Sequence, residues 1–230
     1  MAEVDLNKRI KDFLRDAIQR VDRKDYDRAL LTLREAEELD RENPVILYNI
    51  GICYSGMENH EEAAVYYKRI LAMSGAFIDI IEVRKLLSFS LIMMEKFEEA
   101  LTYLEQCVHI ARQDTTALNM KGYCLEKKDR VDEAIGVYAE IVEIDPGNYN
   151  ACNSLAYLMA IHGKDLNRAH YYAKKAVDAR PEHPAYLDTL GMVYLKRKQP
   201  DMAKKYLKKA LAAAPDSKEI KKHINELLKI

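Results

Sequence analysis

Along the chain, apolar positions fall into short stripes at helical spacing, separated by polar breaks. Leu47, Ile50, Gly51 and Tyr54 lie at i, i+3, i+4 and i+7, one face of a helix. Beyond a short polar break at Ser55–Asn59, Ala63, Tyr67 and Ile70 form a second stripe of the same kind. A break that short suits an antiparallel helix hairpin. Prolines 44, 146, 181, 184 and 215 punctuate the helix ends, because proline disfavours helix in the residue before it and is tolerated in a first turn. Asn43-Pro44 reads as an N-cap followed by a first helical residue, and Asp145-Pro146-Gly147-Asn148 as a helix stop.

The hairpin recurs. Ala29, Ala63, Ala100, Ala134, Ala169 and Ala203 are spaced by 34, 37, 34, 35 and 34 residues. A second small residue precedes each by twelve or thirteen positions: Ala17, Gly51, Ser88, Gly122, Ala156 and Gly191. Where two helices cross closely, only a small side chain leaves room for a large one opposite, here Leu33, Tyr67, Leu104, Tyr138 or Leu207. A fixed period near 34 with helix–turn–helix units is the mark of a stacked repeat.

These units resemble tetratricopeptide repeats, whose pattern runs large–Leu–Gly–Tyr and then Ala–Tyr–Ala–Pro. Leu187, Leu190, Gly191 and Tyr194 with Ala203, Leu207, Ala210 and Pro215 carry the likeness best, followed by Leu118, Gly122, Ala134, Tyr138 and Pro146. The resemblance implies an all-α fold, a right-handed superhelical solenoid of antiparallel helix pairs with about thirteen helices. Six repeats are expected at 10–43, 44–77, 81–114, 115–148, 149–183 and 184–217, forming one solenoid domain over 1–217. Residues 218–230 are expected as a C-terminal capping helix with an apolar stripe of Ile220, Ile224, Leu227 and Leu228. Departures exist: Asp16 and Arg20 replace the usual Leu and Tyr in the first repeat, and the third has Ser88 and no terminal proline. Three extra residues around Met73–Asp79 lengthen the connection between repeats two and three, and one is added near Gly163 in repeat five.

Composition narrows the function. The 230 residues carry 36 Lys+Arg against 37 Asp+Glu, and hydrophobic residues make up 49%, which excludes a disordered chain. A net charge of −1 argues against a polyanion binder working by overall attraction, and no membrane span is expected. The opening residues contain no apolar export segment, and Cys53, Cys107, Cys124 and Cys152 form no CxxC pair, so a cytoplasmic protein with reduced, buried thiols is expected. No phosphate-binding glycine loop, HExxH or GxSxG is present, and the glycines are accounted for by helix packing. The six histidines are scattered, mostly at helix ends or on polar faces; His162 and His170 lack the further ligands a metal needs. No catalytic residue, cofactor or metal is expected. Charge is uneven, with 11 Lys+Arg against 4 Asp+Glu from Gly191 onward, so a basic end could dock an acidic partner or the acidic body of a second copy.

In each repeat's first helix a second face remains once the packing stripe is removed. It carries Leu14/Ile18, Tyr48/Ile52, Lys85/Phe89, Asn119/Tyr123, Asn153/Tyr157 and Asp188/Met192 at i and i+4. By resemblance this face lines a concave peptide groove, with Tyr giving contact area at low rotamer cost and Asn reaching a peptide backbone. The expected peptide-binding residues are Tyr48, Ile52, Phe89, Asn119, Tyr123, Asn153, Tyr157, Asp188 and Met192. The competing reading has these residues completing the packing between repeats or covered by the chain's own ends; exposure of Tyr123 and Tyr157 separates the two. The family's carboxylate clamp is not expected, because Leu14, Ile18, Asn49, Glu82 and Leu86 stand at the corresponding places and supply only the Asn. The expected function is a non-enzymatic module that binds a partner protein's peptide or helix and assists complex assembly. A self-associating scaffold is the alternative, and nucleic acid is not an expected partner because the groove residues are neutral.

Overall fold

The computed structural model describes residues 2–229 apart from Ser74, Ala76 and Phe77, with side chains from Leu6 onward. Of the lengthened connection expected around Met73–Asp79, Ser74, Ala76 and Phe77 therefore lie outside the described residues. Among the described residues there are thirteen helices and no strand. They cluster into two compact units, Met1–Cys124 and Leu125–Ile230.

The first unit holds α1 (Ala2–Asp22), α2 (Tyr26–Leu39), α3 (Pro44–Gly56), α4 (His60–Leu71), α5 (Ile80–Met93), α6 (Phe97–Ile110) and most of α7 (Thr115–Lys127). There α1 packs on α2, α3 on α4 and α5 on α6, and each pair packs on the next through α2–α3 and α4–α5. The second unit holds α8 (Val131–Ile144), α9 (Tyr149–Ile161), α10 (Leu166–Ala179), α11 (Pro184–Lys196), α12 (Pro200–Ala213) and α13 (Lys218–Leu227). There α9 pairs with α10 and α11 with α12, α8 packs on α9 and α10 on α11, and α13 lies on both α12 and α11. Among the described residues no helix is long and apolar enough to cross a membrane.

The helix ends follow from local chemistry. Asn43 Oδ1 accepts from the N–H groups of Val45 and Ile46 at 3.1 and 3.3 Å, with Pro44 in the first turn. The turn inside each repeat closes in one way throughout. Lys24, Glu58, Glu95, Asp129 and Lys198 adopt φ between 56° and 60°, and Gly163 takes φ 62°. The residue after each donates its N–H five positions back, as Asn59 does to the Tyr54 carbonyl at 2.9 Å and Lys164 to that of Met159 at 2.8 Å. That left-handed close satisfies the last carbonyls of the first helix. In repeat five the added residue places Asp165, whose side chain accepts from Asn167 and Arg168, one position later than the cap in repeat two.

Packing rests on the small residues. Ala17, Ala29, Ala63, Ser88, Ala100, Ala134, Ala156, Ala169 and Ala203 are all 0% exposed. A methyl group on Gly51 would meet Tyr67 Cε1 at 2.5 Å, and one on Gly191 would meet Leu207 Cγ at 2.7 Å, so the large partners sit where the spacing puts them. Gly56 has the same role against the Tyr26 ring, a contact not foreseen because that glycine reads as a turn residue. The unusual Asp16 and Arg20 of the first repeat bond each other at 2.8 Å, and Thr32 Oγ1 donates to the same carboxylate at 3.2 Å. A polar pair is tolerated there because both side chains remain partly exposed.

Candidate functional site

In the first unit, the packing stripes of α3, α5 and α7 aim Leu47, Ile50, Leu87 and Leu118 into the core, all at 0% exposure. The same helices carry Tyr48, Ile52, Phe89, Asn119 and Tyr123 on their other face. Phe89 is 44% exposed and Tyr123 40%, whereas Tyr48, Ile52 and Asn119 are half-buried. On α1, Ile18 of the Leu14/Ile18 pair is also exposed. Phe89 meets the buried His60 ring edge-on at 5.7 Å, and Tyr123 meets Phe97 edge-on at 6.2 Å, so both rings are held while presenting a surface. Lys85 Nζ sits between Glu82 and Asp114 at 2.9 and 3.1 Å, which raises its pKa and fixes it as a cation beside Phe89. Asn119 Nδ2 donates to the Thr115 carbonyl at 2.6 Å. Burial and the charges of Glu82 and Asp79 raise the Tyr48 hydroxyl, keeping it a neutral donor.

The second unit differs from expectation. Asp188 and Met192 of α11 are buried, and Tyr157 of α9 is half-buried, because α13 is laid across them. Met192 packs with Leu195 and Ala203, and Leu227 of α13 packs against that cluster. His223 of α13, 3% exposed, brings Nδ1 to Asp188 Oδ2 at 2.8 Å and Nε2 to the Tyr157 hydroxyl at 3.4 Å. Burial, then the charges of Glu219 and Asp188, push the Tyr157 hydroxyl up to about 12. It therefore remains an O–H that can donate to Nε2, leaving Nδ1–H to donate to Asp188. Two acceptors on this face have no hydrogen-bond partner among the described residues: Asp188 Oδ1 and Asn153 Oδ1. The cap's apolar stripe also shifts: Ile220 and His223 face inward, Ile224 and Leu227 are half-buried, and Leu228 is 74% exposed.

Two features escaped the sequence. His223 reads as one polar residue among lysines, although its spacing from Ile220 and Leu227 is that of a buried stripe. A shallow groove of about 600 Å³ is lined by Tyr149, His170, Tyr171 and Lys174. His170 turns toward the Tyr194 hydroxyl, 3.1 Å away. Among the described residues no three His, Cys, Asp or Glu side chains converge as a metal site would require. All four cysteines are buried, and burial pushes Cys53 up to about 11 and Cys124 to about 12, far from a reactive thiolate.

Comparison with known proteins bears on the fold that carries these faces. Tetratricopeptide-repeat family profiles match residues 45–77, 90–149 and 160–223. A TPR repeat-containing protein of Pseudomonas aeruginosa, PA4667, is 26% identical over 114 residues, which is 50% of this chain and 19% of that protein. The chain thus spans about a fifth of that relative's length. YrrB, described as a TPR protein with an unusual peptide-binding site, superposes with a TM-score of 0.66 at 26% identity, covering 79% of this chain and 95% of YrrB. PilF of Pseudomonas aeruginosa gives a TM-score of 0.76 at 14% identity, over 96% of this chain and 99% of PilF, a likeness of fold alone. Small residues buried at a period near 34, helices paired through them, and profiles matching most of the chain establish that it belongs to the tetratricopeptide repeat family.

Proposed function

We propose that this protein is a non-enzymatic interaction module that holds a peptide or helix of a partner protein against the first helices of its repeats. The observation that carries the reading is the split on α3, α5 and α7. One face of each is sealed into the core, while the other leaves Phe89 and Tyr123 two-fifths exposed beside Tyr48 and Ile52. Large rings held in place and left in contact with water are what a docking surface requires. YrrB's description as a peptide-binding protein supports the same use of the fold. In the second unit, Asn153, Tyr157, Asp188 and Met192 lie on first helices of that unit, with Tyr157, Asp188 and Met192 against α13.

The test is substitution of Phe89→Ala together with Tyr123→Ala in the full chain, followed by capture of partners from the native cell extract. Tyr171→Ala, at a ring 60% exposed on α10, serves as the control. Loss of a specific partner with the double variant alone supports the reading. Equal capture by all three proteins refutes it.

A further inference from the structure

We infer that the face under α13 is a second helix-binding site, occupied in this structure by the chain's own terminal helix, and that it selects a partner helix carrying an arginine where α13 carries His223. The inference rests on the interaction-module reading and adds to it the chemistry of the ligand and a means of regulation.

Three observations lead there. Asp188 is a buried carboxylate on α11 whose one partner, His223, belongs to α13, and its second oxygen has no partner among the described residues. The nearby Asn153 Oδ1 on α9 is likewise a buried acceptor without one. A buried carboxylate gains most from a donor that engages both oxygens, and an imidazole offers Asp188 a single N–H, whereas a guanidinium presents a planar fork of five. The surroundings are electronegative as well. On the face itself, Asp188 of α11 and Glu126 of α7 both act on Tyr157 to hold its hydroxyl protonated, and Glu126 is itself raised by burial. A cation is the group that such a site favours.

The resident helix is held by few groups. Of its ten residues only Ile220 and His223 are fully buried, Lys196 to Glu226 at 2.7 Å is a half-exposed pair, and Leu228 is largely in water. Its reach is also fixed by the short link Ala214–Ser217 that follows α12. A helix on a separate chain is free of that link. It can stand off by the extra length of an arginine side chain while keeping aliphatic residues at the places of Ile220 and Leu227. Tethering gives α13 a high effective concentration, so only a helix with a better answer to Asp188 displaces it. The cap thereby excludes weak ligands and yields to the matched one.

The test uses the full chain and two synthetic peptides spanning residues 217–230, one with the native histidine at 223 and one with His223→Arg. Fluorescence anisotropy gives each affinity, and amide hydrogen exchange follows α13 in the protein. The arginine peptide is expected to bind roughly 10- to 100-fold more tightly than the histidine peptide, the worth of one further charge-assisted hydrogen bond. At saturation the protein's own α13 amides should lose protection, and Asp188→Asn should remove the preference between peptides. Equal affinities, binding of neither peptide, or α13 protection unchanged at saturation overturns the inference. Because the peptide comparison uses the unaltered protein, instability of Asp188→Asn does not obscure it. The exposed face of Phe89 and Tyr123 is assayed separately, so failure here leaves that proposal standing.

Discussion

Replacing Gly191 with alanine tests the close helix crossing on which each repeat's packing rests. The added methyl carbon would lie 2.7 Å from Leu207 Cγ, 2.8 Å from Cδ2 and 3.2 Å from the Leu207 backbone nitrogen. Carbon contacts are comfortable at about 3.5–4.0 Å. Leu207 is 0% exposed and cannot swing away, and the backbone contact means that α11 and α12 themselves must separate. Overpacking of this kind costs roughly 1–3 kcal/mol, against which alanine recovers about 1 kcal/mol of helix propensity. The net expectation is a loss of up to about 2 kcal/mol, a melting temperature lower by up to roughly 8 °C for a chain of this size. Gly136 in α8 of the same unit is the internal control, since no heavy atom lies within 4 Å of the position its methyl would take. There the propensity gain stands alone, and alanine should raise the melting temperature by roughly 2–4 °C. Thermal unfolding followed by circular dichroism measures both. Shifts of the same sign for the two variants refute the close crossing at Gly191.

Further outcomes follow from other positions. Ala134→Leu should destabilise the chain more than Ala139→Leu, because Ala134 is 0% exposed in its crossing and Ala139 is only half-buried; equal urea midpoints contradict the repeat register. Glu58→Gly should raise stability by up to about 1 kcal/mol, since a left-handed φ of 60° strains any residue with a Cβ, and a fall in the urea midpoint contradicts it. Stability should decline as pH rises beyond about 9. Burial holds the thiols of Cys53 and Cys124 protonated up to about 11 and 12, so the unfolded chain loses those protons first. The stabilisation is complete below the free thiol's ordinary pKa and is lost as pH climbs toward the folded values; a urea midpoint constant from pH 8 to 10.5 (roughly the span over which free thiols ionise) argues against it.

The repeat was legible in the sequence because its physical cause is local. Two helices that touch leave room for a small residue at one point each, and Ala29, Gly51, Ala63 and Gly191 record that geometry in a fixed register. The N-cap at Asn43 and the turn that absorbs an extra residue near Gly163 were readable for the same reason. The left-handed turn residues were not, since Lys24, Glu58, Glu95, Asp129 and Lys198 are not residue types that announce such a conformation. Asp188 and Met192 read as groove residues because their phase matches that of Asn119 and Tyr123. Their burial depends on where α13 lands after the link at 214–217, a tertiary event that helical periodicity does not encode. The histidine that fastens α13 carried one signal, its spacing within an amphipathic stripe, against a lysine-rich background that reads as solvated.

Hydrogen exchange on the protein with and without a captured partner tests the proposed role most directly. The account predicts that the partner slows exchange in α3, α5 and α7, the helices bearing Tyr48, Phe89 and Tyr123, and leaves α4 and α6 as they were. Protection confined to α4 and α6, with the first helices unchanged, contradicts it.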